Sequence, residues 1–260
     1  MLKILKYSFY DLIRSRWSYV YLLFYLLLGS VLLFLNNDLS KAVITLMNVI
    51  IILVPLIGTI FGVMYYYNSK EFTELLLAQP IKRSSIFIGQ YLGVALSLTM
   101  SLILGLGIPF VLYGLFQSNE IWDFILLLVT GTFLTLIFTA LAFNIALYNE
   151  NKIKGFSYAI LVWLFMAVIY DGLFLMSLIA FQSYPLDAFS IGATLVNPID
   201  LSRILILLKL DISALLGYTG AVFQKFFGTN FGLFISIGTL SLWVLLPVLN
   251  IYRKCRKKDF

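Results

Sequence analysis

The stretch "VIYDGLF" puts one carboxylate, Asp171, in the middle of a long apolar run. An ionisable side chain inside a membrane-spanning helix marks a functional position by default. Tyr-Asp in such a helix matches the first half of the intramembrane aspartyl protease signature, whose chemistry needs two carboxylates sharing a proton. The second half, Gly-x-Gly-Asp, is missing, because "GLGI" at Gly105 carries no acid. Asp171 alone cannot form the dyad. Two roles remain for it: a buried hydrogen-bonding group that joins helices or subunits, or a group on a substrate path.

Other chemistry is excluded by residue type. The chain has no histidine, which removes Ser-His-Asp triads, His-based metalloprotease motifs and imidazole general bases together. The phosphate-cradling G-x-x-x-x-G-K-[ST] loop is absent as well, and no Gly-Lys pair occurs. ATP-driven work would therefore draw on an ATPase in another chain. Soft-metal paths use Cys, Met and His, yet Met47, Met64, Met100, Met166 and Met176 are scattered without clustered spacing. No metal site, no cofactor and no copper path through the chain is expected. The single cysteine, Cys255, lies in the charged tail "RKCRKKDF" and excludes an intrachain disulfide.

The elements that must carry Asp171 follow from composition. Hydrophobic residues make up 62% of the chain and charged ones 12%, against about 25% charged in soluble domains. A helix needs about 18 or more apolar residues to cross roughly 30 Å of hydrocarbon. Six runs qualify: Trp17–Leu35, Val43–Tyr67, Ile88–Phe116, Ile121–Tyr148, Phe156–Phe181 and Phe231–Tyr252. None alternates apolar and polar residues as barrel strands do. The fold class is all-α integral membrane, a single transmembrane domain of six helices. The first run is of full span length and follows the basic stretch "LKILKYSFYDLIRSR", so no cleavable signal peptide is expected.

Residues Met1 to Arg16 place Leu2, Leu5, Phe9, Leu12 and Ile13 at helical spacing among four cations, the pattern of an interfacial helix. Of the 18 Lys and Arg, only Lys41, Arg203, Lys209 and Lys225 fall on the side opposite this helix. The positive-inside rule then puts both termini in the cytoplasm. The net charge of +6 is explained by that orientation and by anionic lipid headgroups, and calls for no nucleic acid.

Gly58-x-x-x-Gly62 and Gly89-x-x-x-Gly93 predict close backbone approach. Pro55, Pro109 and Pro247 lie inside spans, where proline bends helices. The connection Gln182 to Asn230 is far longer than a turn. Within it Asn197-Pro198 followed by Asp200 reads as a helix start, with Asn as cap, Pro at the first position and a carboxylate in the first turn. Two short helices over residues 197–228 are expected to lie on the outer membrane face, the first too short to span.

Between spans two and three, "EFTELLLAQPIKRSSIFIGQYLG" opens on a short charged amphipathic helix, about residues 69–80, cut off at Pro80. Six spans, an amphipathic lead-in helix and this stretch, with "LL..QPI.R" at Leu76 to Arg83, resemble the ABC-2 type of ABC-transporter permease. The resemblance covers the whole chain. It implies that this segment is the coupling helix inserted into a separate ATPase subunit, which binds the ATP and Mg, while the permease itself is no enzyme. Lys70, Glu71, Phe72, Glu74, Leu75, Gln79 and Arg83 are then the ATPase-coupling residues. Phe72 and Leu75, one turn apart, would fill an apolar groove with Glu71 and Glu74 at its rim.

The outer segment "NPIDLSRILILLKLDISALLGYTGAVFQKFFG" with "LVWLFMAVIYD" resembles the NosY family within that type, the permeases of transporters required to mature nitrous oxide reductase. The family implies a homodimer that pairs with a NosF-like ATPase and a NosD-like periplasmic β-helix protein and supports assembly of the enzyme's copper-sulfur cluster, by export or by mechanical transmission. Asn197, Pro198, Asp200, Arg203, Asp211, Tyr218, Phe223 and Phe226 are then expected to meet the periplasmic partner. The alternative is a general ABC-2 exporter of a lipid, drug or peptide.

Overall fold

A computed structural model of the chain describes residues 2–36, 38–118, 120–181, 184, 186–209 and 218–257. Every regular element among them is helical: α1 (Leu2–Arg14), α2 (Arg16–Asn36), α3 (Leu39–Asn68), α4 (Lys70–Leu77), α5 (Arg83–Leu112), α6 (Ile121–Tyr148), α7 (Lys152–Leu164), α8 (Tyr170–Ala180), α9 (Asp187–Val196), α10 (Pro198–Lys209), α11 (Tyr218–Phe227) and α12 (Asn230–Lys257). A 3-10 turn, Leu115–Gln117, follows α5, and a π segment, Phe165–Ile169, joins α7 to α8. Six helical stretches are long and apolar enough to span: α2, α3, α5, α6, α7 through α8, and α12. They coincide with the six runs in the sequence to within a few residues, since hydropathy alone sets them.

α3, α5 and α6 form the interior, and the outer surfaces of α7–α8 and α12 stay largely uncovered. Missing side chains let the helices meet. A Cβ on Gly62 of α3 would stand 2.7 Å from the Cβ of Ala142 on α6, and one on Gly105 of α5 would stand 2.6 Å from that of Tyr25 on α2. The second glycine pair has a partner that spacing alone does not identify. Gly89 and Gly93 receive α1, whose buried stripe Ile4, Ser8 and Leu12 repeats every four residues. The amphipathic lead-in helix is therefore packed on α5 along its length.

The long connection departs from expectation. It holds three helices, and the run after Asn197 does not lie flat on the surface. Ile199, Leu201, Ser202, Ile204, Leu205, Ile206 and Leu207 of α10 are all buried, in contact with α3 and α6. A helix apolar nearly all round has no polar face to turn toward water, so it enters the bundle. Asp211 lies outside the described residues, and Tyr218 is described only as the first residue of α11. The tail differs as well: α12 continues through the basic residues to Lys257, and Cys255 faces inward, fully buried.

The α1–α5 seam gives a direct test. Gly93→Val forces a side chain against Ser8 and the backbone of Phe9, 2.6 and 3.0 Å from its first carbon, and overpacking of this kind costs about 1–3 kcal/mol. Gly107→Ala, with nothing within 4 Å, is expected to be neutral or stabilising by up to about 1 kcal/mol. Thermal unfolding of the purified variants in detergent, with protease cleavage after α1, checks both.

Candidate functional site

α9 and α10 are bent by 116° at Asn197, and their contacts fix which way each runs. Tyr170 donates to the Ala193 carbonyl on α9 at 2.7 Å, the Asn197 Nδ2 to the Met166 carbonyl at 2.8 Å, and the Arg203 Nη1 to Asp171 Oδ2 at 2.7 Å. α9 thus runs antiparallel to the fifth span and α10 parallel to it, so the chain turns back on itself at Asn197. Met166 is the fifteenth of 29 residues in that span, so the turn sits halfway along it. A turn at such a depth must satisfy its polar groups within the protein.

Asn197 does this with both its donor hydrogens and its acceptor oxygen. Its Oδ1 accepts from Ile199 N at 3.0 Å, capping α10, and its Nδ2 donates both to Met166 and to Asp200 Oδ2 at 2.9 Å. Pro198 at the first helical position has no N–H to satisfy. The acceptor carbonyl belongs to the π segment, where the wider turn disturbs the regular ladder of hydrogen bonds; such bulges concentrate at functional sites. One indole adds to the clamp, Trp243 of α12 donating to Leu195 O of α9 at 3.3 Å, while Trp163 ties the fifth span to α3 through Ile52 O at 3.2 Å.

Asp171, Asp200 and Arg203 form a charged cluster of formal charge −1. Arg203 Nη1 is 2.7 Å from Asp171 and 3.4 Å from Asp200 Oδ1, the latter without hydrogen-bond geometry. Asp200 is 6% exposed, so one of its oxygens is buried and unsatisfied. Asp171 is paired to a cation on another element, which the apolar run around it gives no hint of. The arrangement joins helices; among the described residues no group of three His, Cys, Asp or Glu could hold a metal.

These placements bear on the residues assigned to an outer partner. Asn197, Pro198, Asp200 and Phe223 are buried, Arg203 and Phe226 partly so, and as placed they hold the hairpin rather than offer a surface. On α11 the exposed side chains nearby include Gln224 and Lys225.

At the opposite, basic end stands α4. Its eight residues expose Lys70, Glu71, Glu74 and Leu75, with Gln79 and Arg83 exposed beyond it. Lys70 and Glu74 are 3.9 Å apart and both 62% exposed, a pair that contributes little. Phe72 is turned away from this surface and stacks on Tyr7 of α1, ring centroids 4.6 Å apart. Of the pair expected in one groove, only Leu75, 68% exposed, stands out. Buried Thr73 fixes the other side: Gln90 of α5 donates to its hydroxyl at 2.8 Å, and that hydroxyl donates to Ser69 O at 2.8 Å. α4 is thereby bound to both α1 and α5. Sequence reasoning missed Tyr7, Thr73 and Gln90; a lone glutamine near the start of an apolar span is the signal that could have marked the last. Arg83 also lines a basic recess of about 380 Å³ with Lys82, Ser84, Tyr252 and Arg256.

No protein-family model matches the chain, and no curated protein matches it.

If the Asp171–Arg203 contact holds the hairpin, Asp171→Leu leaves a guanidinium facing one poorly aligned carboxylate. Both side chains keep partial exposure, 32% and 25%, so the cost is set at about 2–3 kcal/mol, below that of a fully buried pair. Asp171→Asn keeps an acceptor and is expected to cost about 1 kcal/mol. Unfolding midpoints of the two variants in detergent decide it; equal losses would mean that the charge, not the hydrogen bond, matters.

Proposed function

We propose that the chain is the membrane-spanning permease subunit of an ABC-2 type ABC transporter of the NosY kind. In this reading two copies form a homodimer in the bacterial inner membrane with both termini in the cytoplasm. Separate NosF-like ATPase subunits bind ATP and Mg at the cytoplasmic end, and a NosD-like β-helix protein docks outside. The chain itself is not an enzyme and holds no cofactor. It converts hydrolysis into export or mechanical transmission that supports copper-sulfur cluster assembly of nitrous oxide reductase.

The observation that carries the reading is the build of α4. A free connecting loop needs no buried tether, yet α4 has two: Phe72 on Tyr7 and Thr73 on Gln90. Its outward face, Leu75 between Glu71 and Glu74, is left exposed. An apolar anchor ringed by charges suits a cleft in a partner, and force applied there reaches α1 and α5 directly. The 30 helical residues of α5 then lead across the membrane toward the half that holds α9 and α10.

One observation favours the general exporter. A groove of about 520 Å³ between α6, the end of α9 and α12 is lined by Leu195, Val196, Trp243 and Leu246, with Thr239 and the exposed Asn250 adding polar groups. An amphipathic cargo would fit such a wall. Neighbouring genes for an ATPase, a periplasmic β-helix protein and a nitrous oxide reductase separate the two readings.

Coupling is tested by co-purification of the ATPase and by ATP hydrolysis. Leu75→Asp is expected to lower ATPase retention about tenfold or more, and Glu71→Ala only about two- to threefold, with insertion and dimer formation intact. Full retention and hydrolysis in Leu75→Asp would reduce α4 to a connector.

A further inference from the structure

A second feature of the basic end is a cleft of about 320 Å³ between α1, the start of α2, the end of α3 and α4. Its volume lies at the lower edge of the roughly 300–1,000 Å³ of small-ligand clefts. Five aromatic side chains line it, Tyr7, Trp17, Phe61, Tyr65 and Phe72, together with one carboxylate, Asp11. Fourteen of the chain's 18 Lys and Arg belong to the segments at this end, yet none lines the cleft. Asp11 makes no ion pair among the described residues.

Tyr65 contributes its ring to the wall, its hydroxyl buried beneath the surface beside that of Ser8. Aromatic faces beside one carboxylate attract an organic cation: the ring quadrupoles draw a positive charge within about 6 Å, and the acid adds its own attraction. An anion would meet Asp11 with like charge, and a purely apolar chain would leave the acid unanswered.

We infer that this cleft binds the ammonium-bearing headgroup of a zwitterionic phospholipid. The source follows from position. α1 is amphipathic, and Trp17, on an exposed face, stands where the apolar span α2 begins, the depth that aromatic belts and headgroups share. Ser15 lines the cleft between Arg14 and Arg16 in sequence, both exposed, which puts cations next to the lipid phosphate while the ammonium enters the cage. The lipid then bridges α1, α3 and α4, because Tyr7 and Phe72 are both a wall of the cleft and the stack that holds α4. The inference rests on the membrane character of the chain and not on its proposed transport role.

The test is native mass spectrometry of the full chain, purified in detergent with equal amounts of phosphatidylethanolamine and phosphatidylglycerol. Wild type is expected to retain phosphatidylethanolamine about tenfold over phosphatidylglycerol, and Asp11→Asn and Trp17→Leu to fall to near parity. Both variants lie on exposed faces; unchanged elution and helical signal confirm that they fold, and a variant that fails this check is replaced by Asp11→Ser, expected to lose the preference likewise. Parity in wild type, a preference for phosphatidylglycerol, or an undiminished preference in folded variants overturns the proposal. Displacement of the lipid by free ethanolamine at millimolar concentration also overturns it, by making a soluble amine the ligand.

Discussion

The structure turns on one amide. Asn197 stands at the bottom of a hairpin halfway along the fifth span, and with two donated bonds and one accepted bond it ties α9, α10 and the π segment together. A reversal of the chain inside hydrocarbon exposes backbone groups that water cannot reach, each costing several kcal/mol if left open, about the margin by which a domain is stable at all. Asparagine carries both donor and acceptor on one short side chain. Proline after it removes one further N–H. The charged cluster above it follows from the same constraint: Asp171 and Arg203 are tolerable at that depth because each answers the other.

The two ends of the chain are built on different principles. At the basic end, α1 and α4 are separate short helices fastened to α5 by a glycine seam, an aromatic stack and one glutamine. At the other, a hairpin is driven into the bundle and held by polar contacts. α5 and α3 run between the two, and both are largely interior. Small shifts at α4 can reach the hairpin only through such packed helices, whose side chains move together or not at all. That is what a transmitter requires, and what an isolated loop at the surface would lack.

Spans were legible in the sequence because length and apolarity decide them almost alone; Ile121–Tyr148 falls on the same residues in both. The start of α10 was legible too, since Asn-Pro with a following acid is local capping chemistry. Its depth was not. A 12-residue apolar helix is too short to span, and nothing local says whether it lies on the membrane or inside the bundle; the answer depends on α3 and α6 leaving room. The sign was there in Ile199, Leu201, Ile204, Leu205 and Leu207, which cover more of the helix than one face. Likewise Asp171 announced itself as an anomaly, while its partner 32 residues away did not. Phe72 was visible as an aromatic on a short helix, but Tyr7, distant in sequence, decides where it points.

Depth is the quantity that separates a re-entrant hairpin from helices lying on the surface, and spin-label accessibility measures it. In a Cys255→Ser background, labels at Val196, Val168 and Tyr184 compare the hairpin tip, the exposed face of the fifth span near Met166, and the outer connection; all three positions are exposed in the bundle, at 59%, 54% and 69%. With oxygen as the lipid-soluble quencher and a nickel chelate as the water-soluble one, the label at Val196 is expected to show the high oxygen-to-nickel ratio of the label at Val168. A ratio at Val196 equal to that at Tyr184 would place the hairpin at the surface and contradict the account.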